Sequence, residues 1–179
     1  MKLDDDLNFY TEKLSSEISR QFDINGFHYE RSFAYHFSII ERLFLISEIA
    51  SGELQKKLRI ILSKSYEILV QFCNFEGVPL FHDASHDMYR DQGYLESLLR
   101  KHASGAKIDL LIESNYLALS NNFVKLIIDV GEVAPAYQPA HYHCSMTSYT
   151  ININNKPFII DTGVHGYYED IQKRLHSRK

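Results

Sequence analysis

Apolar and polar residues alternate with two different periods along this chain, and the change falls near residue 110. Between residues 7 and 102 the apolar side chains recur every three to four positions, the spacing of one helix face. Leu7, Tyr10, Leu14 and Ile18 form a first stripe, with no Gly or Pro until Gly26. A second helix is predicted over 32–50, with Tyr35, Ile39, Ile40, Leu43, Phe44 and Ile46 inward and Ser51-Gly52 closing it. A third covers 54–72 and turns Leu58, Ile61, Leu62, Tyr66, Leu69 and Val70 inward. The short connections make these helices antiparallel neighbours. Gly77-Val78-Pro79 breaks the pattern, and 92–102 reads as one more helix ending near Gly105.

Beyond residue 110 the period is two. Residues 116–119 and 123–130 read as strands joined by Asn121-Asn122. Residues 149–153 and 157–161 flank Asn154-Asn155-Lys156, a hairpin signal because asparagine tolerates the left-handed conformation. Helices first and antiparallel strands afterwards define an α+β chain, with a helical part over 1–108 and a sheet part over 109–179.

Composition narrows the functions. A net charge of −4 leaves no general basic coat for nucleic acid. No apolar run is long enough to span a bilayer, and the acidic start, Met1-Lys2-Leu3-Asp4-Asp5-Asp6, lacks the features of a signal peptide. Two cysteines, Cys73 and Cys144, make no disulfide framework. Phosphate-loop, dinucleotide, zincin and nucleophile-elbow signatures are absent.

Three clusters carry candidate chemistry. In 25–36, Arg31 and Tyr35 stand four apart and share a face if the segment opens a helix. A phenol titrates near about 10 and is a poor base at neutral pH; a neighbouring guanidinium favours the phenolate. The plainer reading makes Tyr35 an anchor of a helix seam, with Arg31 and Glu30 capping and pairing. In His141-Tyr142-His143 the two imidazoles point to one strand face and can reach one metal, with Asp161 as an oxygen ligand and His165 as a weaker addition. The plainer reading is a pair of solvated strand histidines. His82, Asp83, His86 and Asp87 form a third patch, either metal-binding or simply a polar loop. Cys144, next to His143, reads as a buried strand cysteine rather than a nucleophile.

The order of these clusters resembles the heparinase II/III-like polysaccharide lyases, a group that includes alginate lyase-like enzymes. Gly26-Phe-His-Tyr-Glu-Arg-Ser-Phe-Ala-Tyr-His36 is similar to the family's "G-x-H-x-E-R-S-P-x-Y-H" helix start. Gly77-Val-Pro-Leu-Phe-His-Asp83 is similar to its "G-x-I-P-x-F-x-D" loop. Asp129-Val-Gly131, Tyr137-Gln-Pro-Ala-His-Tyr-His143 and Asn155-Lys-Pro-Phe-Ile-Ile-Asp-Thr-Gly163 resemble "D-V-G … Y-x-P-G-H-x-H-A-D … N-G-x-P-x-x-x-D-x-G-T". Departures are Phe33 for the Pro, Ala140 for the Gly and Ser145 for the Asp.

The resemblance implies the C-terminal part of an α/α-toroid followed by the first strands of an antiparallel β-sandwich. It implies β-elimination on a uronic-acid-containing polysaccharide, with Tyr35 as acid/base and His141 in the active site. His143 and Asp161 become two ligands of a structural zinc. Arg31 tuning Tyr35 or meeting the substrate carboxylate is an inference of our own. By the same resemblance the carboxylate-neutralising Asn lies upstream of this chain and the third zinc ligand beyond Lys179. Both domains are then incomplete, and apolar faces are left uncovered and available for self-association. The expected partner is an acidic polysaccharide or oligosaccharide, and family members are commonly periplasmic or secreted. Two other readings stay open: a truncated, non-catalytic remnant that at most binds saccharide or zinc, and a small metal-binding protein using His141, His143 and Asp161.

Overall fold

Side-chain oxygens start two of the helices. Ser32 is extended (φ −104°) and its Oγ accepts the Tyr35 N–H at 3.5 Å, heading α2 (Phe33–Ile49). Asp91 accepts the Tyr94 N–H at 3.0 Å and heads α4 (Gln92–Leu99), which runs on into a 3-10 turn at Arg100–His102. Each cap satisfies an amide that the first helical turn leaves open. The other helices are α1 (Lys2–Gln21) and α3 (Gly52–Phe72). The computed structural model describes residues 2–73, 77–82, 84–85, 88, 91–106, 110–111, 116–131 and 147–163.

Only Ala50 and Ser51 separate α2 from α3, and the two helices pack together. Leu58, Leu62, Ile68, Leu69 and Phe72 of α3 are fully buried with Phe33, Phe37 and Ile40 of α2. The buried stripe of α2 (Phe33, Ala34, His36, Phe37, Ile40, Leu43, Ser47) differs from the expected one. Tyr35, Ile39 and Ile46 are half-buried instead. One residue turns a helix by about 100°. Because α2 is apolar on most sides, periodicity selects its inward face weakly, and the aromatic side wins. Val70 is exposed, and Leu7 and Tyr10 of the first stripe face solvent while Ile18 reaches the core.

The strands are β1 (Leu110–Leu111), β2 (Tyr116–Ser120), β3 (Val124–Asp129), β4 (Tyr149–Ile153) and β5 (Lys156–Ile159), antiparallel in sequential order. The fold is α+β. The two-residue β1 has no signal in the periodicity. Asn121 Oδ1 accepts the Phe123 and Val124 amides, each at 2.8 Å, and so turns β2 into β3. Asn154 and Asn155 have φ of 52° and 61°, the pair of positive values a two-residue hairpin requires, and Lys156 already pairs with Ile153.

The sheet presents its polar alternation inward. Tyr116, Asp129, Thr150 and Asn152 are buried together with Ala118 and Ile127, all on the face toward the helices. Leu119, Tyr149 and Ile153 lie on the opposite, exposed face, with Leu117, Leu126, Ile128 and Ile151 half-buried among them. An antiparallel sheet with one face in water normally shows the reverse. The outward face is therefore apolar and uncovered among the described residues.

Polar anchors on α3 hold the segment that leaves the helices and one strand of the sheet. The buried Glu67 accepts the Ser104 N–H (2.8 Å), the Ser104 hydroxyl (3.0 Å) and the Gly105 N–H (2.8 Å), fixing the segment that leaves the helices. Gln71 Nε2 donates to Ala106 O at 2.9 Å. Lys125 of β3 donates to Val70 O and Cys73 O, at 3.3 and 2.8 Å, placing a cation on the C-terminal carbonyls of α3. Cys73 is a buried free thiol, and burial pushes its pKa up, which makes it a poor nucleophile.

Leu62 sits in the fully buried α2–α3 seam. Leu62→Ala is expected to lower the unfolding free energy by about 2–5 kcal/mol, read from the urea midpoint at unchanged slope.

Candidate active site where helices meet sheet

The segment before α2 is held as a tight turn. Gly26 N–H bonds to Asp23 O and Phe27 N–H to Asp23 Oδ1, and Tyr29 N–H returns to Gln21 O. Gly26 has φ 78°, and a Cβ there would collide with the Lys64 side chain. The chain then passes through Arg31, whose φ of 58° is uncommon for a residue with a side chain. Arg31 therefore lies outside α2, and no helical i, i+4 registry relates it to Tyr35. Its Nη1 is buried with no hydrogen-bond partner among the described residues.

Tyr116 of β2 stabilises that strained turn. Its hydroxyl donates to Arg31 O at 2.6 Å, although the two residues are 85 positions apart. The Tyr116 ring is fully buried, stacked on Phe81 (5.5 Å, 18°) and packed against Phe33 (4.9 Å) and Phe27 (5.8 Å). Since Ser32 follows Arg31 and caps Tyr35, a sheet residue sets the backbone from which Tyr35 projects. Tyr35 itself is half-buried in the first turn of α2.

A second link joins the 77–85 loop to β3. His82 Nε2 lies 3.1 Å from Asp129 Oδ2, and both side chains are almost wholly buried. Asp129 Oδ1 accepts the Gly131 N–H at 3.0 Å, and Thr147 N–H bonds to Asp129 O. His82 lies in a loop, as the polar-turn reading expects, but it is buried there as a partner of the sheet and held at positive φ (63°). Two motifs quoted separately, the Phe-His-Asp loop and Asp-Val-Gly, turn out to be one contact. Neither His82's pairing nor Tyr116's role has a periodicity signal; only the motif order pointed near them.

Asp161 is half-buried, and its Oδ1 accepts the Gly163 N–H at 2.9 Å. Gly163 has φ 61°, and a Cβ there would run into the Ala84 carbonyl oxygen, so only glycine lets this segment lie on the 77–85 loop. Asp161 keeps one carboxylate oxygen without a hydrogen bond among the described residues, which suits a metal ligand. No group of three His, Cys, Asp or Glu side chains able to hold a metal occurs among the described residues. His141, His143, Cys144, His165, Asp83, His86 and Asp87 lie outside them.

The histidines of this segment, His28 and His36, are buried and neutral. His36 is fully buried, stacked on Phe27 (4.8 Å, 26°), and neither ring nitrogen has a partner among the described residues. Burial, reinforced by His28, holds its pKa well below the ordinary value. Burial likewise pushes His28 down to about 4, its Nε2 lying 3.4 Å from Gln21 Oε1. The segment combines a phenol in the first turn of α2, an arginine in the turn before its cap, and two buried neutral imidazoles.

Residues 104–179 match the sequence model of the family described as heparinase II/III-like, C-terminal. A heparinase III solved with methylated lysines shares the fold, with 14% identity and a TM-score of 0.66 over 94% of this chain and 30% of that one. Heparan sulfate lyase HepC from Pedobacter heparinus is 16% identical, with a TM-score of 0.66 over 92% of this chain and 30% of its own. The chain spans under a third of the length of these structures. No curated protein matches the chain.

Tyr116→Phe removes only the hydroxyl that holds Arg31 O, and a loss of about 1–2 kcal/mol in stability is expected. The largest amide shift changes in a heteronuclear NMR map should fall at residues 30–35. Acid should weaken the fold through the buried histidines. Their folded pKa values are depressed below the unfolded value near 6.5, so the unfolded chain binds more protons as pH falls. Stability is full above about pH 6.5 and declines from there toward pH 4, by up to about 1.4 kcal/mol per unit for each histidine. Thermal unfolding at pH 7.5 and pH 5 measures the decline, and His36→Leu should shrink it.

Proposed function

We propose that this chain, which belongs through residues 104–179 to the heparinase II/III-like C-terminal family, is the part of a polysaccharide lyase that carries its acid/base tyrosine, Tyr35. The observation that carries the reading is the position of Tyr35. It stands in the first turn of α2, four residues past Arg31, whose carbonyl accepts the Tyr116 hydroxyl at 2.6 Å. The heparinase fold of the solved structures supports the same reaction class.

The reaction is a β-elimination. The C5 proton of a uronate passes to Tyr35 Oη, the C5–H electron pair forms the C4=C5 double bond, and the C4–O bond breaks. The leaving oxygen takes a proton, which the same phenol can return. Charge that builds on the uronate carboxylate must be neutralised in the transition state. Arg31 is assigned that task or the task of holding Tyr35 as phenolate, since a guanidinium serves both. Its half-buried side chain and partnerless Nη1 favour a role facing a ligand. His141 assists proton transfer or carboxylate neutralisation.

His143 and Asp161 are proposed as two ligands of a structural zinc. Bound there, zinc would tie the segment that follows β5 to the segment carrying His143. Asp161 has a carboxylate oxygen to give. The substrate is an acidic polysaccharide or oligosaccharide, and the apolar outer face of the sheet is available for self-association. Under this reading the helices belong to the C-terminal part of an α/α-toroid over 1–108 and the strands to a β-sandwich over 109–179. The second reading is a non-catalytic remnant that binds saccharide or zinc.

Incubating the 179-residue chain with uronate-containing polysaccharides and following ultraviolet absorbance of the 4,5-unsaturated product decides between the two. Turnover by this chain alone contradicts the remnant reading, and wherever elimination is measured Tyr35→Phe should lower kcat by about 10²–10⁴. Full activity in Tyr35→Phe removes the acid/base assignment. Saccharide binding without any turnover establishes the remnant.

A further inference from the structure

The end of α2 opposite Tyr35 opens onto a cleft that the elimination chemistry does not use. Ser47 lies 12 residues beyond Tyr35, about 18 Å along the helix axis. The cleft encloses about 420 Å³ between Ser47 and Glu48 of α2, Gln55 and Arg59 of α3, and Lys101 and His102 of the 3-10 turn. Its charges are already ordered. Lys101 Nζ is held between Glu48 Oε1 at 2.7 Å and the face of Phe44, 4.6 Å from the ring centroid. The Lys101 bond keeps the Glu48 carboxyl below its ordinary value, so Glu48 is an acceptor.

His102 stands edge-on to Phe44 at 6.2 Å, and its Nε2 is buried with no partner among the described residues. Burial lowers its pKa, which leaves a neutral ring able to exchange a hydrogen bond with a hydroxyl. Arg59 forms no ion pair or hydrogen bond among the described residues. The lining thus pairs two cations, one of them uncommitted, with a carboxylate and an imidazole. Donors for an anion therefore sit beside acceptors for hydroxyl groups.

We propose that this cleft is a second saccharide site that binds one acidic sugar unit, its carboxylate or sulfate on Arg59 and Lys101 and its hydroxyls on Glu48 and His102. The choice of a sugar rests on the proposed lyase reading; the anion preference rests on the cleft alone. Set apart from Tyr35, the site anchors a polymer chain without touching the bond that breaks. It strengthens polymer binding and leaves turnover of short substrates unchanged.

The test is an NMR titration of the full chain with glucuronate, with glucose as the neutral control and inorganic sulfate as the bare anion, at millimolar levels. Glucuronate should shift the amides of Ser47, Arg59, Lys101 and His102, and glucose should not. Arg59→Gln with Lys101→Met should weaken glucuronate binding at least tenfold, while Tyr35→Phe leaves it intact. Absence of shifts in the cleft, or affinity unchanged in the double variant, overturns the site. Binding of sulfate without glucuronate overturns the sugar assignment. Failure of the Tyr35 reading would appear instead as undiminished elimination in Tyr35→Phe, so the two ideas fail separately.

Discussion

One hydroxyl bond, from Tyr116 to the carbonyl of Arg31, joins the sheet to the turn that leads into α2. Arg31 is in a left-handed conformation that residues with side chains adopt at some cost, and such strain persists only where surrounding structure holds it. Here the surroundings are an aromatic box of Phe27, Phe33, Phe81 and Tyr116, all fully buried. The ring of Tyr116 supplies much of the apolar burial, and its one polar atom is satisfied by the strained residue. A buried tyrosine needs a partner for its hydroxyl, and the Arg31 carbonyl needs a donor. Each solves the problem of the other.

The second link, His82 to Asp129, obeys the same logic on the neighbouring strand. A buried carboxylate must be paired or hydrogen-bonded, and Asp129 achieves both through His82 and the Gly131 amide. Gly163 closes the junction by lying against Ala84, where no side chain fits. The inward polar face of the sheet follows from these links. The sheet meets the helices through these bonds and through Tyr116, Ala118 and Ile127, and most of its other aliphatic residues are left to the opposite side.

Charge is distributed to match. His28 and His36, in the segment that leads into and opens α2, are kept neutral by burial, which leaves Arg31 as the cationic residue of that segment. At the far end of α2, Lys101, Arg59 and Glu48 are gathered in an open cleft. The overall charge of −4 hides both features. Local geometry, not net charge, decides where an acidic polymer can lie on such a surface.

Much of the fold was legible because it depends on local chemistry. A helix opens at residue 92, Asn154-Asn155 makes a tight hairpin, and the period changes from helix to strand near residue 110. These features need only neighbours in sequence. The inward face of α2 was not legible, since a helix apolar on most sides packs whichever face its partners favour, and those partners come from α3 and from Tyr116. β1 escaped notice because two residues carry no periodicity. Of the candidate site, the sequence by itself marked Arg31, Tyr35 and Asp161 as residue types suited to the chemistry. Tertiary structure alone revealed that Arg31 stands outside the helix, that His82 belongs to Asp129 and that Tyr116 governs the turn. Those facts rest on contacts between residues 47 to 85 positions apart, and only the folded chain's packing brings such distant residues into bonding range.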